Sequence, residues 1–251
     1  MKKHHYVPDC CKELTNILLE ISQRHSVWDV FQDWLAMSAI AISNQVDLEQ
    51  WNRREEVYLQ LIKKYAKDER QKLAEALGIL ATSLYQECEK NGPTDILGQV
   101  FHALELHNKY KGQFFTPPHI CEFMGQIVMA GSDGESFQKE ISSKGYITVG
   151  EPCIGSGGML LGFAKAMEKN KLDYKTQMLA SACDIDIKCV HMAYIQLSLL
   201  GIPATIIHGD SLLMEEWSRW YTPAYILGNW PAKEHLASLS DFTQSEKTTV
   251  A

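Results

Sequence analysis

The sequence predicts an α/β protein in which a parallel sheet with helical crossovers follows a helical N-terminal region. Three observations predict it. From Asp9 to Asn91 only residues outside the chain's prolines occur, and apolar positions recur at three- and four-residue steps. From Tyr146 onward, short apolar runs alternate with helix-like stretches, the pattern of a parallel, doubly wound sheet. Between the first run and its helix stands the turn Glu151-Pro152-Cys153-Ile154-Gly155-Ser156-Gly157-Gly158. A strand, a tight glycine turn and a helix N-terminus place backbone N–H groups around a polar ligand group. Taken alone, the same composition also suits any glycine-rich turn.

Bulk properties bound the function. The 251 residues are 45% hydrophobic and 22% charged, enough for one or two soluble domains. A net charge of −7 argues against gripping nucleic acid alone through a broad basic face. It leaves room for a subunit that touches DNA locally beside a partner. None of the seven cysteines forms a C-x-x-C pair, so no metal site is expected, and Cys189 with His191 suits a helix core better than a half-site. No apolar run reaches membrane-spanning length and no signal region follows Met1-Lys2-Lys3-His4-His5, so a cytoplasmic protein with no membrane association is expected.

In chain order, helices are expected over Cys11 to Ile42 and over Leu48 to Cys88, with an interruption near Lys67-Asp68-Glu69-Arg70. Nothing in them carries chemistry; they scaffold or bind a partner. Asn91-Gly92-Pro93-Thr94-Asp95 is a stop followed by an N-cap, which divides a helical domain (1–92) from an α/β domain (93–251). A helix from Ile96 to about His107 follows. In Lys111-Gly112-Gln113-Phe114-Phe115-Thr116-Pro117-Pro118 the prolines force the preceding residues to be extended. That loop is either a wall for a flat ligand or a hydrophobic staple for the helix from His119 to Ala130. Gly131 to Gly145 reads as a polar surface loop.

After the glycine turn and its helix (Met159 to Asn170), Gln177 to Cys183 reads as a buried strand ending at Asp184. A helix from Ile187 to Leu200 closes on Gly201. Ala204 to His208 is a third strand, ending at Asp210. A short amphipathic piece, Ser211 to Trp220, leads to a fourth strand, Ala224 to Leu227, ending at Asn229. Ligands of such sheets sit beyond the carboxyl ends of the strands, so Glu151, Asp184, Asp210 and Asn229 are gathered into one site. An acid after the second strand can accept both hydroxyls of a ribose, and one after the third can take the exocyclic amine of an adenine.

The succession Gly-Gln-Phe-Phe-Thr-Pro, Glu-Pro-Cys-Ile-Gly-Ser-Gly-Gly, Asp-Ile-Asp, Gly-Asp and Ile-Leu-Gly-Asn-Trp-Pro resembles the N6-adenine DNA methyltransferases, and within them the modification subunits of type I restriction systems. The resemblance covers Asp95 to about Pro231. It implies a Rossmann-like S-adenosylmethionine-dependent methyltransferase sheet, here incomplete, behind a helical domain. It also implies an S-adenosylmethionine site: Phe115 and Thr116 at the methionine end, Glu151, Gly155, Ser156 and Gly157 around the amino-acid moiety, Asp184 on the ribose and Asp210 on the adenine. Asn229 and Pro231 are the implied catalytic residues, and DNA is the implied substrate, delivered through a specificity-type partner.

Two departures stand out. The family's catalytic motif is Asn or Asp, Pro, Pro, then Phe or Tyr; here it is Asn229-Trp230-Pro231-Ala232. An adenine drawn out of the duplex regains stacking on that aromatic, at roughly 1–3 kcal/mol, and Ala232 offers no ring. Beyond the fourth strand only Ala232 to Ala251 remains, too short and polar for further strands. An exposed apolar edge at Ala224 to Leu227 is then expected, covered by a second copy, another chain or the N-terminal helices. Two functions remain open: a methyltransferase acting on adenine in DNA, or a catalytically impaired relative serving as a regulatory or interaction subunit.

Overall fold

The computed structural model describes residues 7–106, 115–131 and 135–237. The loop from Lys111 to Phe114, the first residues and the tail from Ser238 lie outside them. Four helices come first: α1 (Asp9–Ile21), α2 (Val27–Ser43), α3 (Trp51–Ile62) and α4 (Lys67–Asn91). The interruption falls just before Lys67, where the Glu69 carboxylate accepts the Ala66 N–H at 2.7 Å and starts α4. The Trp34 indole donates to the Leu73 carbonyl at 3.1 Å and ties α2 to α4. Gly92, at φ 81°, ends α4. No helix among the described residues is long and apolar enough to cross a membrane.

Next come α5 (Ile96–Ala103), α6 (Pro118–Gly131) and α7 (Glu135–Lys144). α5 is shorter than expected, since Glu105 turns to φ 54°. α7 replaces the expected surface loop. Its polar sequence is anchored by Phe137 and Ile141, one turn apart, which pack on the core; the Phe137 ring meets Phe163 edge-on at 6.0 Å.

The α/β part runs β1 (Ile147–Glu151), α8 (Gly158–Lys169), α9 (Tyr174–Gln177), β2 (Met178–Asp184), α10 (Ile187–Leu199), β3 (Ala204–Asp210), β4 (Glu215–Tyr221) and α11 (Pro223–Leu227). The sheet order is β1-β2-β3-β4, with the first three strands parallel and β4 antiparallel to β3. Both crossovers step the same way across the sheet, so right-handed connections bring α8 and α10 to one face. The strand order never reverses among the described residues, so the sheet is not doubly wound. Ile147, Ala180, Ala182, Ala204 and Ile206 join α8, α10 and the N-terminal helices in a continuous apolar core.

The chain after Asp210 departs from expectation. The Asp210 carboxylate accepts the Leu212 and Leu213 N–H groups at 2.9 and 3.1 Å and folds the chain back. Glu215 to Tyr221 then alternates by twos and pairs as a strand, where an amphipathic piece was expected. Ala224 to Leu227 is no strand. Thr222 is an N-cap whose side chain accepts from the Tyr225 N–H, and Pro223 sits in the first turn, so α11 starts there. The apolar strand edge for which a second copy is expected as cover therefore does not form; the outer edge is β4, carrying Glu215, Glu216 and Arg219.

The second sheet face has a different cover. Tyr146, Leu179, Tyr225 and Trp230 form a small apolar cluster over its amino-terminal half, with Tyr146 and Trp230 edge-on at 5.0 Å. Toward the carboxyl ends the same face is open, and Gly150 and Ser181 are exposed.

His191 gives the fold an acid sensitivity. Burial, then the nearby His208 and Arg54 charges, push its imidazole down to about 3 from an ordinary 6.5. Between those values the unfolded chain binds the proton and the folded chain does not, so stability is lost as pH falls through that window. At pH 5 the loss is about 2 kcal/mol relative to pH 7, at 1.36 kcal/mol per unit. Denaturant titrations at both pH values should show His191→Phe losing less stability on acidification than wild type by about that amount.

Candidate functional site

The glycine turn is held from three sides. Gly155 and Gly157 have φ of 56° and 97°, the left-handed region open to glycine. From the inside, the Asp184 carboxylate at the end of β2 accepts the Gly155 N–H at 2.9 Å with one oxygen and the Asp186 N–H at 2.9 Å with the other. Burial raises its carboxyl above the ordinary value despite those two bonds, which pull it down. From above, the Phe115 ring lies on the turn: a methyl group added at Gly155 would stand 3.2 Å from it. Phe115 is itself fixed edge-on by Phe101 at 4.9 Å. Behind, a side chain at Gly157 would meet the Ala193 backbone of α10 at 3.5 Å.

A buried polar cluster ties these parts together. Asp95 caps α5, accepting the Gly98 N–H at 2.7 Å. The same carboxylate accepts the Ser156 hydroxyl and, at 2.9 Å, the Gln196 amide. Gln196, fully buried on α10, also donates to the Ser156 carbonyl at 2.7 Å. Its own amide oxygen accepts the Ile96 and Leu97 N–H groups at 2.9 and 3.0 Å. Every group in this cluster has a partner, which makes it rigid. The Ser156 side chain is therefore turned inward to Asp95 and its carbonyl is taken by Gln196, so only its backbone N–H is left for a ligand.

Glycine contacts dock α6 on α8. A side chain at Gly162 would fall 2.3 Å from the Cys121 carbonyl oxygen, and one at Gly125 would fall 2.5 Å from that of Gly162. Glu122 on α6 pairs with Lys165 at 2.7 Å and also with Lys169; these bonds hold its carboxyl below the ordinary value. α6 carries Phe115 and Thr116 on its leading loop, so this contact sets the distance between that loop and the turn.

Two clefts flank the arrangement. The larger, about 510 Å³, opens at the carboxyl ends on the uncovered sheet face, where Glu151, Cys183, Asp210, Met214 and Arg219 line it. That volume suits a small-molecule ligand. Gly150 forms part of its floor, and a methyl group there would meet nothing within 4 Å. Glu151 and Asp210 each use one oxygen on a backbone N–H of their own turn, Cys153 at 3.1 Å and Leu212 at 2.9 Å. No metal-binding group of three or more ligating side chains occurs among the described residues. The smaller cleft, about 200 Å³, is lined by Asp95, Gly98, His102, Phe115 and Thr116.

The strand-end residues named from sequence thus divide. Phe115, Gly155, Gly157 and Asp184 meet at the turn, Glu151 and Asp210 share the larger cleft, and Thr116 lines the smaller one. Asn229 and Pro231 are elsewhere. With α11 in place of a fourth strand, Asn229 follows a helical turn at φ 51°. Its neighbour Trp230 packs on Tyr146 and Leu179, at the amino ends of β1 and β2. From Tyr146 to Glu151 is five residues, roughly 16 Å along a strand. The polar organisers Asp95 and Gln196 were not among the sequence candidates as a pair; Asp95 showed only its N-cap signal.

The model of the N-6 DNA methylase family matches residues 94–248. Among solved structures, the chain is similar to a protein assigned to the class I S-adenosylmethionine-dependent methyltransferases from Listeria monocytogenes, at 17% identity and a TM-score of 0.41, covering 81% of this chain and 54% of that one. It is also similar to a type I restriction-modification methyltransferase subunit from Streptococcus thermophilus, at 14% identity and a TM-score of 0.40, covering 83% and 59%. The chain thus spans little more than half the length of those two proteins. No curated protein matches it.

Proposed function

Because the chain belongs to the N-6 DNA methylase family, we propose that it holds S-adenosylmethionine at the glycine turn and does not, by itself, transfer the methyl group to adenine. When bound, the cofactor supplies an electrophilic sulfonium methyl. The residues suit it chemically: Glu151, Asp184 and Asp210 bring negative charge and hydrogen-bond acceptors to a cation with an ammonium, ribose hydroxyls and an adenine amine. Phe115, Thr116 and the Gly155 to Gly157 backbone take the amino-acid end, Asp184 the ribose and Asp210 the adenine amine. Gly150 leaves the floor of the cleft free.

The observation that carries the second half of the proposal is the position of Asn229. A methyl transfer needs the acceptor nitrogen aligned with the methyl group. Trp230, between Asn229 and Pro231, packs in the cluster at the amino ends of the strands, while Glu151 and Asp210 line the cleft at the carboxyl ends, and the residue directly after Pro231 is Ala232 rather than an aromatic. The chain then acts as a cofactor-holding regulatory or interaction subunit. One feature favours a second possibility, methylation of adenine in DNA within an assembly. Among the described residues no strand other than β2 pairs with β1, whose Thr148 N–H is bonded at 3.5 Å to the Glu140 carboxylate. A specificity-type partner bringing DNA could place a catalytic loop beside β1.

The test is transfer of labelled methyl from S-adenosylmethionine to DNA by the purified chain alone. The expected result is no labelled N6-methyladenine above the enzyme-free blank. Incorporation by the chain alone would overturn the proposal that it lacks a transfer centre.

A further inference from the structure

A third cleft, of about 260 Å³, lies between the N-terminal helices and the other face of the sheet. Its walls come from α2, α3, α10, β3 and β4, through Ile40, Val57, Ile187, His191, His208 and Trp220. Neighbouring strand residues alternate in direction: Ile207 lines the cofactor cleft and His208 this one. The two clefts therefore open on opposite faces of the sheet.

Its polar groups are one-sided. Arg53 and Arg54 both line it, and no carboxylate does, although the chain carries a net −7. Arg54 is already committed. Its guanidinium pairs with Asp47 at 2.6 Å, reaches the Arg219 carbonyl at 2.9 Å and lies over the Trp220 ring at 4.0 Å. Arg53 is exposed, and among the described residues it has no ion-pair partner. One buried side chain at the cleft also wants an acceptor. The Trp220 indole N–H is buried without one. His191 is 7% exposed and meets Trp220 edge-on at 5.0 Å; either neutral tautomer of its ring presents one N–H.

Buried donors in native proteins find a partner, from protein, water or ligand. The groups fit a flat apolar body with an acceptor-rich anionic end. The volume lies just below the range of drug-sized pockets, about 300–1,000 Å³, so the ligand is small.

We propose that this cleft is a second ligand site, taking a small planar oxyanion such as an aromatic carboxylate or aryl phosphate. Its apolar body lies along Val57 and Ile187, and its oxygens meet Arg53 and the N–H groups of Trp220 and His191. The site is independent of the cofactor site.

The test follows the indole N–H resonance of Trp220 in the full chain, identified through Trp220→Phe, on titration with benzoate, phenyl phosphate, benzamide and inorganic phosphate. Benzoate or phenyl phosphate should shift it saturably. Neutral benzamide and inorganic phosphate should bind at least tenfold more weakly. Arg53→Ala, an exposed change that leaves the melting temperature unaltered, should weaken the better probe at least tenfold. Absence of a saturable shift with either aromatic anion would overturn the proposal. So would benzamide or inorganic phosphate matching them, or undiminished binding to Arg53→Ala.

Discussion

Gly162→Leu is expected to destabilise the chain by roughly 3 kcal/mol or more, and to separate the Phe115 loop from the glycine turn. The side chain would enter a space where the Cys121 carbonyl already stands 2.3 Å from the first added carbon. That obstacle is backbone, so no side-chain rotation relieves it. Overpacking of a tight core commonly costs about 1–3 kcal/mol, and more where backbone must move. The helix that must move is α6, which begins directly after Phe115, Thr116 and Pro117. Thermal or denaturant unfolding measures the first effect. Gly162→Ala tests the reason: a single methyl meets the same carbonyl, so it should also destabilise, although alanine in a helix interior is ordinarily favoured over glycine by about 1 kcal/mol. A stabilised Gly162→Ala would mean that the two helices are not held apart by backbone contact.

The second large effect is expected at Gln196. Gln196→Ala should cost roughly 3–5 kcal/mol, comparable to breaking a buried charged network. The side chain makes four hydrogen bonds at once: to the Ile96 and Leu97 amides, the Asp95 carboxylate and the Ser156 carbonyl. Removing it strands two buried donors at the start of α5 and weakens the hold on Asp95. A buried group left without a partner costs about 1–3 kcal/mol. Gln196→Glu separates packing from hydrogen bonding. It keeps acceptors for the two amides but loses the donor and faces Asp95 with a second carboxylate, so it should be no better than alanine. Equal stability of Gln196→Glu and wild type would show that the donated bonds contribute little.

Much of the α/β frame was legible in the chain because local and tertiary preferences agree there. Met178 to Cys183 and Ala204 to His208 are short apolar runs closed by acids, and each became a strand. Gly92, Asp95 and Gly201 marked helix ends through backbone conformations and caps that need little tertiary context. Ala224 to Leu227 misleads because two local signals compete. Its apolar run suggests a strand, but Thr222-Pro223 starts a helix, and packing of Tyr225 on Tyr146 and Leu179 decides in favour of the helix. α7 was hidden by polarity: its anchors on the core are Phe137 and Ile141.

The site was legible to the extent that it is built on strand ends. Asp184 and the glycine turn were found together because the connection rules bring successive carboxyl ends to one edge. Gln196 was not, since a glutamine on an apolar helix has no motif of its own; it matters through residues about a hundred positions away. Asn229 was grouped with the others only through the strand expected at Ala224 to Leu227, and it left the group when that strand proved helical.

The cofactor claim is tested most directly by calorimetric titration of S-adenosylmethionine into the full chain, beside Gly150→Trp. The indole would enter the open larger cleft from a position where the added Cβ meets nothing within 4 Å, so this variant should keep its fold and melting temperature. The account predicts one-to-one binding to wild type at roughly micromolar Kd, about −8 kcal/mol, and no measurable heat from Gly150→Trp. A folded wild-type chain that gives no heat, or a folded Gly150→Trp that binds as wild type does, would contradict it.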